Sequence, residues 1–374
     1  MKRKIGIIVI LTFIGIIYLC IDVLWKNFDA KQYEESNVSE TGDATVLGND
    51  QTSMAEERTC EIILPEEEAE FWGADYILEI KFGYGDYATQ EDIIHIGQCS
   101  NLKHLNISIN ESEVDLSPLG NLSELESLDI KIVCSPDLSF LCNLTELREL
   151  TLDIYTLEAL DLSPVGSLTE LKRFSMYQLS NEETDLSFLK NLNQLTEITF
   201  IQCDIVRDLS YFQDMLCLQD LYITYVDDVD LNYLSKLTNL ETLTITGQNI
   251  RNIEGISNLI NLKELSLSDN NWESWYQETE PLDLQLLESL TKLERIDLEC
   301  IHVNDITPLA DLKSLCGITL VNTNVEDISP LIDLENLNSL YIFGNESALV
   351  KEQAETYFSE IEDMLVTEEL PGGY

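Results

Sequence analysis

The amino-acid sequence predicts an α/β-type solenoid, with a curved parallel β-sheet on its concave face, short 3-10 or helical turns on its convex face, and a single transmembrane helix ahead of it. Three observations predict this. A unit of 22 residues recurs along two thirds of the chain, each unit spaces its leucines for one short strand and one short turn, and one uncharged apolar run opens an otherwise acidic chain. Units of this size cannot bury a core alone and must stack on their neighbours.

The elements follow in chain order. Met1-Lys2-Arg3-Lys4 is basic, and Ile5 to Ile21 is an uncharged run of 17 residues that Val23, Leu24 and Trp25 extend past Asp22. About 20 residues rising ~1.5 Å each span the ~30 Å hydrocarbon layer, and Trp25 suits its interface. Three cations precede the run, whereas Lys26 and Lys31 after it are offset by Asp29, Glu34 and Glu35. The excess of positive charge keeps the N-terminus cytoplasmic, so residues 1–25 read as a signal-anchor at the cell membrane and the rest as extracellular. The alternative is secretion after signal cleavage. Such signals usually have apolar regions of about 7–15 residues ending in small side chains, and Tyr18-Leu19-Cys20-Ile21-Asp22 offers none. Leu19 also stands where a lipoprotein signal needs a small residue. Residues 26–60, polar, acidic and without a period, read as a flexible linker. Residues 61–91, with Phe71, Trp72 and Tyr76 to Phe82, read as an N-terminal cap.

The repeats occupy 92–345. Asp115-Leu116-Ser117-Pro118-Leu119, Asp161-Leu162-Ser163-Pro164-Val165, Asp305-Ile306-Thr307-Pro308-Leu309 and Asp327-Ile328-Ser329-Pro330-Leu331 are its clearest copies, with weaker ones starting at Asp92, Asp137, Asp185, Asp208, Asp230, Asn252 and Asp283. Ten steps separate the eleven starts, and nine of them are 22 to 24 residues long; the step from Asn252 to Asp283 is 31. Each unit continues as L-x-x-L-x-x-L-x-L, as in Leu237, Leu240, Leu243 and Ile245. The L-x-L part gives a strand with its leucines inward. The Ser or Thr before the turn is expected to cap it through its hydroxyl, and proline follows where its missing N–H costs nothing. So short a unit leaves room only for a 3-10 or single-turn segment.

These motifs resemble the bacterial leucine-rich repeats of the internalin type, with consensus L-x-x-L-x-L-x-x-N-x-I-x-D-I-S-P-L. Leu315 to Leu331 follows it almost position by position. The resemblance implies a bacterial surface protein that binds a protein partner through the concave face. One departure concerns the laddered Asn, here Val133, Tyr155, Leu179, Cys203, Val226, Gln248, Asn270, Ile301, Thr323 and Asn345. Packing is expected to replace that hydrogen-bond ladder in most units. Residues 346–374 read as a C-terminal capping helix and tail. Leu349, Tyr357, Phe358, Ile361 and Leu365 at helical spacing predict a helix over 348–366.

Composition narrows the function. With 21 Lys+Arg against 69 Asp+Glu the formal charge is −48, a surface that repels phosphate backbones and anionic headgroups, which excludes nucleic acid and leaves membrane contact to residues 5–25. The charge fits a basic protein partner, or it keeps a long repetitive surface soluble. Nine cysteines include no C-x-x-C and none has histidine at zinc spacing, so no metal or cofactor is expected and the thiols read mostly as small buried side chains. Cys134 and Cys142 are near enough in sequence to bridge. H-E-x-x-H, G-x-S-x-G and G-x-x-x-x-G-K-[ST] are absent, which leaves binding as the activity and not catalysis.

The candidate surface is the set of strand residues flanking the inward leucines. The middle column runs Asn106, Asp129, Thr151, Ser175, Thr199, Tyr222, Thr244, Ser266, Asp297, Thr319, Tyr341. Its 33 positions, flanking columns included, hold eight acids, three bases and thirteen Ser or Thr. Arg173, Tyr177, Tyr222, Arg295, Tyr341 and Phe343 stand out on it as ligand-binding candidates, aromatic and arginine side chains being favoured at interfaces. The long step inserts Asn271 to Pro281, and Trp272, Trp275 and Tyr276 on that loop either form a contact patch or fold back over the adjacent repeats. A carbohydrate ligand, using the tyrosines as stacking platforms, and a spacer without a ligand are the alternatives to a protein partner.

Overall fold

The computed structural model describes Cys60–Ile62, Leu78–Phe82 and residues 87–367, apart from positions 111–112, 157, 180, 182, 204, 207–208, 227–228, 249, 251–252, 270–280, 346 and 362. Residues 57–368 form one compact unit. Its described strands make one sheet in sequence order. β1 (Cys60–Ile62) is antiparallel to β2 (Leu78–Phe82), and every later pair is parallel. The repeats supply β3 (Leu102–Ile109), β4 (Ser127–Ile132), β5 (Glu149–Thr156), β6 (Arg173–Leu179), β7 (Glu197–Ile201), β8 (Asp220–Val226), β9 (Thr242–Gly247), β10 (Glu264–Asp269), β11 (Arg295–Glu299), β12 (Gly317–Val321) and β13 (Ser339–Phe343). The last strand is β14 (Asp363–Thr367). A parallel ladder in sequence order requires each unit to climb one strand and return, and ten 3-10 turns among the described residues make that return.

Burial follows the leucine spacing. Strand residues alternate buried and half-exposed, and the inward positions join the leucines of the turns in one continuous core. Phenylalanine replaces leucine in the middle of the stack. Phe174 meets Phe188 and Phe200 edge to face at 5.8 Å, and Phe200 meets Phe212 at 6.2 Å.

The caps of the turns differ from expectation. The Ser or Thr hydroxyl does not accept from the turn; the aspartate two residues earlier does. Asp115, Asp137, Asp161, Asp185, Asp305 and Asp327 each accept the backbone N–H of the following Ser or Thr at 2.8–2.9 Å. The hydroxyl turns back to donate to the same carboxylate, as Ser187 Oγ does to Asp185 Oδ2 at 2.5 Å. A carboxylate accepts two such bonds at once, so aspartate is the better cap.

The missing Asn ladder is replaced in two ways. A residue of positive φ follows β7, β11, β12 and β13 (Gln202, Cys300, Asn322, Gly344) and is the last but one of β6 and β8 (Gln178, Tyr225). That hop turns the next side chain inward, burying Leu179, Cys203, Val226, Ile301, Thr323 and Asn345. Left-handed backbone costs a non-glycine residue about 1–2 kcal/mol, recovered here by filling the core. β3, β4, β5, β9 and β10 make no hop; their alternation simply continues, so Ile109, Ile132, Ile154, Gly247 and Asp269 point inward. Val133 and Gln248 are therefore exposed and Tyr155 half-exposed, against the sequence alignment. The register shifts at two of the three places where the modes meet, between β5 and β6 and between β8 and β9, and runs unshifted between β10 and β11. A second ladder runs at the other end of the unit, where Asn239, Asn261, Ser314 and Asn336 donate to carbonyls of the preceding repeat at 2.7–2.9 Å.

Both ends also depart from the prediction. The weak first copy is a true helix, α1 (Gln90–Ile96), opened by a reciprocal capping box between Thr89 and Asp92. At the other end α2 covers only Ala348–Tyr357, and β14 follows where helix was expected. Val350, Ala354 and Phe358 form the buried face, while Leu349 and Tyr357 are exposed. Thiol burial is uneven: Cys203 and Cys300 are buried, whereas Cys142 and Cys217 are exposed. Cys134 and Cys142 are both free, so they do not bridge. Among the described residues no helix is long and apolar enough to cross a membrane, and the expected span at 5–25 lies outside them.

Candidate functional site

The open face of the sheet is built by the parallel register itself. Asn106 pairs with Asp129, Asp129 with Thr151, and so on to Thr319 with Tyr341, so the middle column is continuous from β3 to β13. Nearest neighbours in a column lie one strand spacing apart, ~4.8 Å, close enough to interact directly.

Charge is arranged pairwise along these columns. Arg173 binds Glu149 on the neighbouring strand, Lys131 reaches Asp153 at 2.9 Å, and Arg295 lies 3.7 Å from Glu264. Lys131 also sits 4.8 Å over the Tyr155 ring. Asn106 Nδ2 donates to Asp129 Oδ2 at 2.7 Å. Burial, and then the neighbouring Asp153, hold the Asp129 carboxyl above its ordinary range.

The acids of β11 stand in a different environment. Asp297 and Glu299 point to the same side of one strand, and burial pushes both carboxyls up. The Thr319 hydroxyl donates to Asp297, and Ser268 Oγ donates to Glu299 at 3.1 Å. Neither makes an ion pair among the described residues.

The predicted site residues do not form one cluster. Arg173 and Tyr177 lie on β6, the half-exposed Tyr222 on β8, and Arg295 on β11. Tyr341 and Phe343 are brought together on β13, their rings stacked at 6.0 Å and 6°. Trp272, Trp275 and Tyr276 lie outside the described residues. Two further residues extend the face beyond the sequence reading. Asp363 and Leu365 continue the leading and middle columns on β14, pairing with Ser339 and Tyr341. The Tyr341 hydroxyl binds Asp363, and burial together with that carboxylate raises its pKa. Leu365 is 46% exposed. The alternation in Asp363-Met364-Leu365-Val366-Thr367 was the available signal, hidden by residues that also fit helical spacing.

Among the described residues no group of His, Cys, Asp or Glu could hold a metal ion. No family model and no curated protein matches the chain. Solved structures do. An internalin from Listeria monocytogenes is 28% identical over 66% of this chain and 69% of its own, with a TM-score of 0.55. A leucine-rich-repeat protein of Leptospira interrogans shares the fold at 18% identity and a TM-score of 0.52, over 67% of this chain and 63% of its own. With sequence-ordered parallel strands, 3-10 returns and this likeness together, the chain has the leucine-rich-repeat fold, and its 22-residue repeats are similar to those of the internalin.

Proposed function

We propose that this chain is a non-catalytic module that recognises a protein partner through the open face of its sheet, the concave face that a 22-residue repeat implies, and that residues 5–25 hold it at the cell membrane with the repeats outside. One observation carries the reading: a face of three side-chain columns, the leading and middle ones spaced without a break by backbone pairing from β3 to β13, on which Tyr177, Tyr222, Tyr341 and Phe343 stand half-exposed among hydroxyls and carboxylates. Side chains fixed by a sheet lose little freedom on binding, and tyrosines on such a support are strong anchors.

The test is cross-linking on intact cells, followed by purification of the full chain and identification of what is attached. Tyr222→Ala combined with Tyr341→Ala is expected to remove at least one cross-linked protein. A pattern unchanged by that double substitution overturns the face. The anchor fails if the mature N-terminus lies beyond residue 20 and the protein is found in the medium.

A further inference from the structure

The last strands of the open face form a trough. β11 presents Asp297 and Glu299, β12 presents Gly317, Thr319 and Val321, and β13 presents Tyr341 and Phe343, all in register. Strands lie ~4.8 Å apart, so an acidic wall and an aromatic wall stand roughly 10 Å from each other over a floor of small side chains. At the leading end Gly317 is buried, with the Arg295 stem 3.4 Å from where a Cβ would sit. Beyond the aromatic wall Leu365 extends the apolar surface onto β14.

The two walls differ in what they lack. The bases of this face are already paired: Lys131 with Asp153, Arg173 with Glu149, Arg295 with Glu264. Among the described residues Asp297 and Glu299 receive hydroxyl donors and make no ion pair. Burial raises both carboxyls, and the Asp297 charge adds to the rise at Glu299; Arg295, which pairs with Glu264, offsets it only in part at Asp297. The aromatic wall offers ring surface to a cation or to an aliphatic stem.

We infer that the trough over β12 receives an arginine or lysine side chain of the protein partner, with its charge at Asp297 and Glu299 and its stem along Tyr341 and Phe343. The assignment rests on the open face being the binding face. Arginine fits better than lysine, because its planar group both forks onto a carboxylate and stacks on a ring.

The probe is a fluorescent decapeptide alternating arginine and serine, titrated onto the full chain in detergent micelles. Its counterpart carries citrulline, the neutral near-isostere, for every arginine. The arginine peptide is expected to bind at least tenfold more tightly. Asp297→Asn with Glu299→Gln should weaken it tenfold or more, and Tyr341→Ala with Phe343→Ala several-fold. Glu197→Gln with Asp220→Asn, which removes the same charge from the same face elsewhere, should change it less than twofold. Circular dichroism identifies any variant that has not folded, and the isosteric carboxamide pair supplies the decision if the aromatic pair fails. Equal weakening by both carboxamide pairs overturns the trough in favour of diffuse electrostatics, and equal binding of the citrulline peptide overturns it too. If the arginine peptide does not bind while the cellular cross-links remain sensitive to Tyr222→Ala, the trough falls and the face stands. Insensitive cross-links remove both.

Discussion

The Gln353 side-chain oxygen accepts the Ile328 backbone N–H at 2.8 Å, while its amide donates to Asp327 Oδ1 at 2.6 Å. Gln90 does the same at the other end, giving to the Asp115 carbonyl at 3.1 Å and taking the Asp115 N–H at 2.7 Å. Each end helix thus fastens itself to the adjoining turn by a two-sided glutamine contact. Gln353 is 8% exposed, and removing its amide strands a buried N–H. Gln353→Ala is expected to cost about 1–3 kcal/mol in urea unfolding, with faster hydrogen exchange in β13 and β14. Unchanged exchange there would show that the glutamine does not fasten the cap.

Gly255 occupies the proline position of its turn, where an added Cβ would lie 2.3 Å from the Leu231 carbonyl oxygen and 2.7 Å from the Asn232 Cα. Both obstacles are backbone and cannot swing aside. Gly255→Ala should therefore destabilise by about 1–3 kcal/mol, despite the usual advantage of alanine over glycine. Equal or greater stability in the variant refutes the close approach.

Thiol reactivity should divide by burial. Burial, then the neighbouring Glu299, push the Cys300 thiol up to about 12, and Cys203 is 0% exposed. The thiolate is the reacting form. Iodoacetamide at pH 8 should alkylate Cys142 and Cys217 within minutes and reach Cys203 and Cys300 only after denaturation, read by peptide mass spectrometry. Rapid native labelling of Cys300 contradicts the burial.

Two sets of carboxylates give opposite pH responses. Asp115, Asp161, Asp185, Asp305 and Asp327 are held low, chiefly by the Ser or Thr hydroxyls and N–H groups they cap. Their stabilisation is present above the unfolded-state value near 4 and is lost as pH falls through the lower folded values. Asp297 and Glu299 are held high, chiefly by burial, so ionisation opposes folding as pH rises from the unfolded values through the folded ones. Asp297→Asn with Glu299→Gln should match the native protein near pH 3 and exceed its stability at pH 7. Exposed Glu146→Gln with Glu335→Gln removes two charges as a control and should gain less. A native protein as stable as the first variant at pH 7 would show that these carboxylates carry no burial cost.

The repeat length, the inward leucines and all three surface columns were legible in the residue order, because strand alternation and nearest-neighbour stacking are local rules copied in every unit. The parallel register then follows with no further choice. Other features depend on competition between distant groups. Val133 and Leu179 align in sequence, yet one is exposed and the other buried, because a left-handed residue at the strand's end is selected by the space left in the core. Residues 363–367 satisfy both a helical and a strand pattern, and the unpaired edge of β13 settles the matter, since its hydrogen bonds require a partner. Likewise eight acids on one face look alike in a list. Folding brings bases to Glu149, Asp153 and Glu264, and leaves Asp297 and Glu299 facing a row of aromatic rings across β12.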